Sequence, residues 1–197
     1  MISSLELIAD IFFQWLSSDS AWKPIEESIR RRINRKDDRI EKEGREFLTN
    51  VGKNLNMILP TEANTSTTSD KLTAIWLSPD EWMIISNELA SKDTNKSDLY
   101  EMLFNSISKT NLGAVIDVTD QFVQLELKGE NVYEIFSAGS PFNFNEFKEK
   151  KGSTTQTVLN HIDVILHHKD ENTVNLFVRR SFAEHLFSWI EDSASRL

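Results

Sequence analysis

The chain has four histidines, and histidine is the side chain that most readily acts as a metal ligand or general base near neutral pH. His161 and His167 lie six positions apart in HIDVILHH, so on a β-strand they would share a face with Asp163, while His168 would point the other way. Zn²⁺ accepts ligands of these types. Neighbours on one strand face are, however, about 6–7 Å apart, and a solvated polar face has the same pattern. We therefore favour a polar face and assign no metal ligands.

The remaining residue types form no recognisable catalytic constellation. The chain contains no cysteine, which excludes disulfides, thiolate nucleophiles and zinc–thiolate sites. The phosphate-binding motifs GxGxxG and GxxxxGK(S/T) are absent, as are GxSxG and HExxH. His185 follows Glu184, but no nucleophile accompanies the pair. We predict no catalytic and no cofactor-binding residues in this chain.

Two acidic positions stand out, and turn formation accounts for both. Asp80 and Glu81 follow Pro79 in WLSPDEWMIIS, where turn and strand-start roles explain them. Asp117 interrupts the apolar run GAVIDV, and a carboxylate in such a run needs hydrogen-bond partners. We expect Asp117 to cap a turn at Thr119–Asp120 rather than to act in catalysis.

Composition favours one globular domain, with or without an added arm. The 197 residues are 39% hydrophobic and 27% charged, and the net charge of −9 disfavours general affinity for nucleic acids. The apolar run LIADIFF has acidic interruptions and is far shorter than the roughly 20 residues of a membrane span. With no cysteine as well, we expect a soluble, cytoplasmic protein that binds neither nucleic acid nor membrane.

Residues 30–45, RRRINRKDDRIEKEGR, are the basic exception, with eight basic and four acidic side chains. Two interpretations remain open. The segment is a surface for an anionic partner, or it is a solvated helix with ion pairs between residues four apart. We favour the solvated helix.

Apolar residues at every second position predict strands from residue 72 onward. LTAIWL and WMIIS are separated by Ser-Pro-Asp, which predicts a hairpin in which Trp76 and Trp82 pack together. Residues 60–71, which are rich in Ser, Thr and Asn, are predicted to be a loop. Three further strands are predicted from alternating residues: Val123, Leu125 and Leu127; Ile162, Val164 and Leu166; Val174, Leu176 and Val178.

Apolar residues at helical spacing predict five helices, over residues 3–17, 46–59, 97–107, 130–139 and from 181 onward. Ser97 is the expected N-cap of the third helix, and Gly139 is expected to close the fourth. The last helix has a capping box, Ser181 to Glu184, before an apolar stripe made of Phe182, Leu186, Trp189 and Ile190. The chain is therefore predicted to be α+β, with antiparallel sheets flanked by helices. A helical N-terminal arm (1–45) precedes the main domain (46–197).

Three ordered segments carry a family resemblance. They are NVGKNLNMILPTEANTST with AIWLSPDEWMI, then DVTDQFVQLELKGENVYEIFSAGSPFNF, then TTQTVLNHIDVILHHKDENTVNLFVRRSFAEHLFSWIEDSA. Together they cover about residues 48–194, and they resemble the gamma subunit of heterotetrameric sarcosine oxidase. Residues 1–45 have no counterpart in the resemblance, and Ser140 stands where a cysteine is expected in the family.

The resemblance implies a fold like the folate-binding part of the glycine-cleavage T-protein. It also implies membership of a complex that oxidatively demethylates sarcosine to glycine. FAD, FMN, NAD and tetrahydrofolate are then expected in the other subunits, with flavins on alpha and beta and with NAD and folate on alpha. This chain would be an accessory subunit that docks on and stabilises alpha, alongside beta and delta, and binds no cofactor itself.

Three alternatives stay open at the level of sequence. The first is the equivalent subunit of a related N-methyl amino acid dehydrogenase. The second is a stand-alone, folate-binding protein of T-protein type, although no acidic residue can be matched to the folate-site carboxylate of that enzyme. The third is a module that binds anionic surfaces through Arg30–Arg45.

Overall fold

The computed structural model describes residues 10–14, 38–69, 72–86, 96–109 and 113–197. Within these ranges the strands are β1 (Asp10–Gln14), β2 (Ser66–Thr68), β3 (Leu72–Ser78), β4 (Glu81–Ser86), β5 (Ala114–Asp117), β6 (Phe122–Lys128), β7 (Thr154–Leu159), β8 (Ile162–Asp170) and β9 (Thr173–Arg179). The helices are α1 (Asp38–Leu55), α2 (Lys96–Leu103) with a π-helical extension (Phe104–Ser108), α3 (Val132–Gly139), α4 (Asn145–Glu149) and α5 (Arg180–Ala194).

The strands form two antiparallel sheets. The first sheet has the order β2-β3-β4-β1-β5, and the second has the order β6-β9-β8-β7. Consecutive strands are mostly neighbours, as hairpin connections require. Two strands are exceptions: β1 lies between β4 and β5, and β9 lies between β6 and β8.

The two sheets pack face to face, and helices cover both outer faces. Between the sheets, Ile75 and Met83 from the first sheet pack with Ile165 and Phe177 from the second. The outer face of the first sheet packs against α1, α2 and the π-helical extension. The outer face of the second sheet packs against α3, α4 and α5. The result is a four-layer helix–sheet–sheet–helix arrangement, which confirms the predicted α+β class with antiparallel sheets flanked by helices.

The predicted hairpin of β3 and β4 is confirmed. Trp76 and Trp82 are opposite each other in the ladder, and Ser78, Pro79 and Asp80 make the turn, with the Ser78 hydroxyl donating to Asp80 Oδ1 at 2.8 Å. Both strands lie in the middle of the first sheet, between a helical layer and the second sheet. Their sequences are therefore almost continuously apolar rather than alternating.

The three alternating strands are also confirmed. The apolar residues of β6, β8 and β9 that were predicted to share faces all pack in the cluster beneath α3, α4 and α5: Val123, Leu125, Leu127, Ile162, Val164, Leu166, Val174, Leu176 and Val178. Residues two apart share a face of a strand, so all of these side chains meet the same helical layer.

The helix predicted over residues 3–17 is wrong for residues 10–14, which form β1. This segment reads DIFFQ, and its aromatic and β-branched residues favour strands. In the first sheet Phe13 is opposite Trp82 on one side and Val115 on the other. A strand at this position hydrogen-bonds to both β4 and β5, which would otherwise have unpaired edges. The other residues from 1 to 37 lie outside the described ranges.

Helix α1 starts at Asp38 and ends at Leu55, so the expected division of the chain at residue 45 falls inside a continuous helix. That domain assignment stays a prediction, and the described structure of the basic segment 30–45 begins at Asp38. The helix predicted to reach residue 59 ends earlier because Asn56 has a positive φ of 51°. The amide of Met57 then donates to the Gly52 carbonyl at 3.1 Å, which closes the helix end.

The start of the last helix differs from its prediction. Helix α5 begins at Arg180 directly after β9, and its N-cap residue, Arg179, makes no side-chain capping hydrogen bond. The Ser181–Glu184 capping box is therefore wrong, because Ser181 is already inside the first turn. The buried stripe consists of Ala183, Leu186 and Ile190, whereas Phe182, which was expected in it, is exposed.

Two predictions were less exact at their boundaries than in the type of element. Helix α2 begins at Lys96, one residue before the expected N-cap Ser97. The stretch 60–71, predicted as a loop, contains the short strand β2. Helix α3 ends at Gly139 as predicted. Among the helices in the described ranges, none combines the length and the apolar character that a membrane span requires.

Candidate functional site

The three residues considered as metal ligands do not come together. Asn160 and His161 both have positive φ, 48° and 65°, and form the two-residue turn between β7 and β8. The shared strand face inferred for His161 is therefore wrong, although Asp163 and His167 do lie on the same face of β8. His161 and Asp163 are exposed, while His167 is buried. Within the described part of the chain, no three His, Cys, Asp or Glu side chains are placed to hold a metal ion.

His167 is a buried histidine at the junction of the two sheets. Its Nε2 lies 3.0 Å from the hydroxyl oxygen of Ser66 in β2, and that hydroxyl lies 2.8 Å from the Gly152 carbonyl oxygen. The carbonyl can only accept, so the hydroxyl hydrogen is directed at Gly152 and Ser66 Oγ accepts from the Nε2–H of His167. The ring therefore carries a proton on Nε2.

Burial lowers the pKa of His167, the nearby charges of His168 and Lys169 lower it in the same direction, and together they bring it to about 4. Desolvation acts against the charged imidazolium, and only 3% of the residue is exposed. The buried Nδ1 has no hydrogen-bond partner among the described residues. No carboxylate there orients the ring as a general base would require.

Ser66 and His167 thus have the residue types of a nucleophile and its base, but not the arrangement. A base must accept the hydroxyl hydrogen, whereas here the ring donates and the hydrogen goes to Gly152. We interpret the pair as a polar link between β2 in the first sheet and β8 in the second. Sequence reasoning missed Ser66 because it lies in a stretch read as a loop, and only the β-branched threonines beside it signalled β2.

The same corner of the molecule is held by backbone hydrogen bonds. Thr65 and Ser153 form an isolated antiparallel bridge, and the amide of Thr154 donates to the Asn64 carbonyl at 2.9 Å. Gly152 is required here, since its φ is +83° and a Cβ would lie 3.3 Å from Ser66 Oγ. On this side the two sheets are joined by hydrogen bonds as well as by apolar packing.

His168 points to the opposite face of the second sheet, as predicted. Its Nδ1 lies 3.1 Å from the carbonyl oxygen of Phe147 and 3.0 Å from that of Lys150, so Nδ1–H donates to this pair. Its ring meets the Tyr133 ring edge-on, with centroids 6.2 Å apart. His168 therefore fastens α4 and the following turn to β8, which is a structural role.

Two acidic residues have the turn roles expected for them. Asp117 Oδ1 accepts from the amide of Thr119 at 2.9 Å and from its hydroxyl at 2.6 Å, which confirms the predicted turn. Glu81 begins β4 beside the Pro79 turn. Partial burial raises the pKa of its carboxyl, the charge of Asp80 raises it further, and a hydrogen bond from Ser78 opposes both.

Among the described residues, a cleft of about 550 Å³ lies on the face of the second sheet that is turned toward the first. We call it the inner-face cleft. Six of its nine lining residues matter for the argument, three apolar (Phe122, Ile165 and Phe177) and three polar (Gln156, Asp163 and Arg179). All six belong to the second sheet or its ends. Gln156 marks the border with the first sheet, because its Nε2 donates to the Leu77 carbonyl at 2.7 Å.

Asp163 and Arg179 give the inner-face cleft one negative and one positive group. Both side chains are exposed, and neither forms an ion pair or a hydrogen bond within the described structure. The cleft contains no histidine, serine or second acid beside them from which a nucleophile–base pair could be built. Its groups suit binding through apolar contact and paired charges.

Comparison with known proteins fits this fold. A chain of the heterotetrameric sarcosine oxidase from Corynebacterium sp. U-96, solved in complex with pyrrole 2-carboxylate, matches with a TM-score of 0.71. The match has 16% identity and covers 96% of this chain and 80% of that chain. The fold is therefore that of a sarcosine oxidase chain. The family model described as "Sarcosine oxidase, gamma subunit family" matches residues 40–196, and the chain belongs to this family. The resemblance inferred from three sequence segments is confirmed.

A second likeness is short. The thymidylate kinases of Prochlorococcus marinus strains NATL1A and NATL2A are each 61% identical to this chain over 54 residues. That stretch is 26% of this chain and spans 24% of the length of each kinase. The sequence contains no GxxxxGK(S/T) motif with which to cradle phosphates, so the match gives no support to a kinase activity.

Proposed function

We propose that this chain is a non-catalytic gamma-type subunit of a sarcosine-oxidase complex, docking on and stabilising the large alpha subunit. The family match over residues 40–196 is the observation that carries the proposal. It spans both sheets except for β1, together with most of α1 and all of α2, α3, α4 and α5. A match of this extent concerns the whole folded body rather than one local motif.

The character of the candidate residues supports an accessory role. The pair with the residue types of a nucleophile and a base, Ser66 and His167, is committed to joining the two sheets. The inner-face cleft offers apolar and charged contacts without a reactive group. In the proposed complex FAD, FMN, NAD and tetrahydrofolate are bound by other subunits, alpha and beta among them, and the complex demethylates sarcosine to glycine in the cytoplasm.

Affinity purification from native extract tests this proposal. A tagged, full-length chain should retain large subunits that are identified by mass spectrometry, and the eluate should show visible flavin absorbance and oxidise sarcosine. The same chain produced alone should be colourless and inactive. The proposal is contradicted if the tagged chain is purified from native extract without any partner. It is also contradicted if the chain produced alone is yellow. Saturable tetrahydrofolate binding by the isolated chain would favour the stand-alone folate protein instead.

A further inference from the structure

Three buried polar side chains lie in one row across the second sheet. Thr154 in β7 is opposite His167 in β8, and His167 is opposite Asn175 in β9. Residues that are opposite each other in an antiparallel ladder point to the same face of the sheet. This face is turned toward the first sheet, because His167 contacts Ser66 there. The exposed fractions of Thr154, His167 and Asn175 are 3%, 3% and 8%, so all three are more than nine-tenths buried.

Each side chain of this row has one buried polar atom without a hydrogen-bond partner among the described residues. These atoms are Thr154 Oγ1, His167 Nδ1 and Asn175 Oδ1. Buried polar atoms are nearly always hydrogen-bonded, and one that is left without a partner costs free energy. Three such atoms on three neighbouring strands indicate a shared ligand that satisfies them together.

The hydrogen-bonding roles in the row require a ligand that donates. His167 Nε2 directs the ring hydrogen at Ser66, and burial with two neighbouring positive charges lowers the pKa of the ring to about 4. At neutral pH Nδ1 therefore has only a lone pair, and Asn175 Oδ1 is also an acceptor. The Thr154 hydroxyl can donate or accept. A water molecule has two hydrogens for the two acceptors, and it can accept from Thr154.

A metal ion fits the row less well than water does. The row supplies three neutral ligand atoms and no carboxylate, so a buried cation would have no compensating charge among them. The acid at the next position of the row is Glu126, which is opposite Asn175. Its carboxylate is exposed and forms an ion pair with Lys169. The neutral ligand is therefore the better match.

We propose that Thr154, His167 and Asn175 form a binding site for ordered water between the two sheets. A water that makes two hydrogen bonds of about 2.8 Å joins atoms about 5 Å apart, which matches the spacing of neighbouring strands. Water bound to Nδ1 holds the imidazole in the orientation in which Nε2 donates to Ser66. It thereby extends the link between the sheets from β8 to its neighbours in the second sheet.

A high-resolution crystal structure of the full-length chain tests this inference. It should show water within about 3 Å of His167 Nδ1 and of at least one of its neighbours, Thr154 Oγ1 or Asn175 Oδ1. Direct hydrogen bonds from other protein groups to these three atoms would overturn the inference. A metal ion among them, or a row with no water beside it, would also overturn it.

The field dependence of water ¹⁷O relaxation gives a second measurement, in solution, because it detects water that stays inside the protein while the protein tumbles. Thr154→Val removes the hydroxyl with little change of volume, and Asn175→Leu removes the amide oxygen. Each variant should lower the dispersion amplitude of the full-length chain by about one bound water. Wild-type amplitude in both variants overturns the inference.

Thr155→Val is the matched control. Thr155 is also buried in β7, but as the next residue along the strand it points to the opposite face of the sheet. This variant should keep the wild-type amplitude. If it loses as much as Thr154→Val, the effect does not come from the row and the inference falls. Where a variant does not fold, the wild-type crystal structure decides.

Discussion

Ser66 Oγ lies 3.0 Å from His167 Nε2 and joins the edge strand of the first sheet to the second sheet through a single hydroxyl. The hydroxyl both accepts from the imidazole and donates to the Gly152 carbonyl. Backbone hydrogen bonds at the same corner and the Gln156 amide also link the sheets, and their remaining contacts are apolar. A directional polar link at one corner fixes how β2 and β8 sit against each other.

Removing this hydroxyl should destabilise the fold. In Ser66→Ala the Nε2–H of His167 loses its acceptor and the Gly152 carbonyl loses a donor. We expect a decrease of about 1–3 kcal/mol in the free energy of unfolding, measured by urea titration. Ser188→Ala is the control, since its exposed hydroxyl only donates to the Glu184 carbonyl of its own helix. Its effect should stay within about 0.5 kcal/mol, and equal effects of the two changes would refute a special role for Ser66.

Stability should fall as the pH is lowered from 6.5 toward 4. His167 titrates at about 4 when folded and near the ordinary histidine value of 6.5 when unfolded. The unfolded chain therefore binds more protons within this window, and each unit of pKa difference corresponds to about 1.4 kcal/mol. The contribution of His167 is fully present above 6.5 and is lost by about pH 4, on the order of 3 kcal/mol. Urea titrations at several pH values measure it.

Glu81 supplies the control for this pH profile. Its folded pKa is raised above 4.5, so its contribution has the opposite sign and is lost as the pH rises through the folded value. Glu81→Gln should therefore steepen the loss of stability on acidification, while His167→Gln should flatten it. If His167→Gln has the wild-type slope between pH 6.5 and 4, another group is responsible.

Gly139→Ala should destabilise the protein because of a close contact. A Cβ at this position would lie 2.5 Å from the Trp189 ring of α5 and 3.2 Å from the Asn160 amide nitrogen. We expect a loss of about 1–3 kcal/mol, as for overpacked positions, measured by urea unfolding with Trp fluorescence.

Gly44→Ala is the matched substitution for comparison. Gly44 lies in α1, and a Cβ there would meet nothing within 4 Å. Alanine has the higher helix propensity, so this change should stabilise by about 0.5–1 kcal/mol. Losses of similar size at both glycines would show that backbone freedom, and not the Trp189 contact, sets the effect at Gly139.

Trp82→Phe should cost more stability than Trp76→Phe, although the two residues face each other in the hairpin. Trp82 is 3% exposed, stacks on Phe47 and donates its ring N–H to the Pro60 carbonyl at 2.6 Å. Phenylalanine leaves that buried carbonyl without a donor, at a cost of about 1–3 kcal/mol. Trp76 is only partly buried, and we expect less than half of that loss. Thermal and urea unfolding of both variants decide the comparison.

Sequence patterns predicted an element correctly where residue spacing or short-range hydrogen bonds determine its structure. The alternation in β6, β8 and β9 was readable because its apolar residues all face the same helical layer. The turn of Pro79 and the cap of Asp117 follow from short-range hydrogen bonds. DIFFQ was misread because Leu5, Ile8 and Phe12 also fit a helix. What makes the segment a strand is pairing with β4 and β5, far away in the chain.

The candidate sites also depend on contacts between residues that are far apart in the chain. Nothing in HIDVILHH reveals that His161 belongs to a turn and His167 to a sheet junction, because the turn is set by the positive φ of Asn160 and His161. The link to Ser66 joins residues about a hundred positions apart. The residues that line the inner-face cleft likewise come from all four strands of the second sheet, so no local motif contains them. Its charges become conspicuous only once the ladder places them side by side.

The position of β1 has a consequence for the order in which the chain folds. It ends at Gln14, yet it separates β4 from β5, which begins at Ala114. During synthesis this strand must wait for both of its neighbours, which are made later. Its exposed backbone and apolar residues make this nascent segment the point where chaperone capture or misassociation with another chain competes with correct insertion.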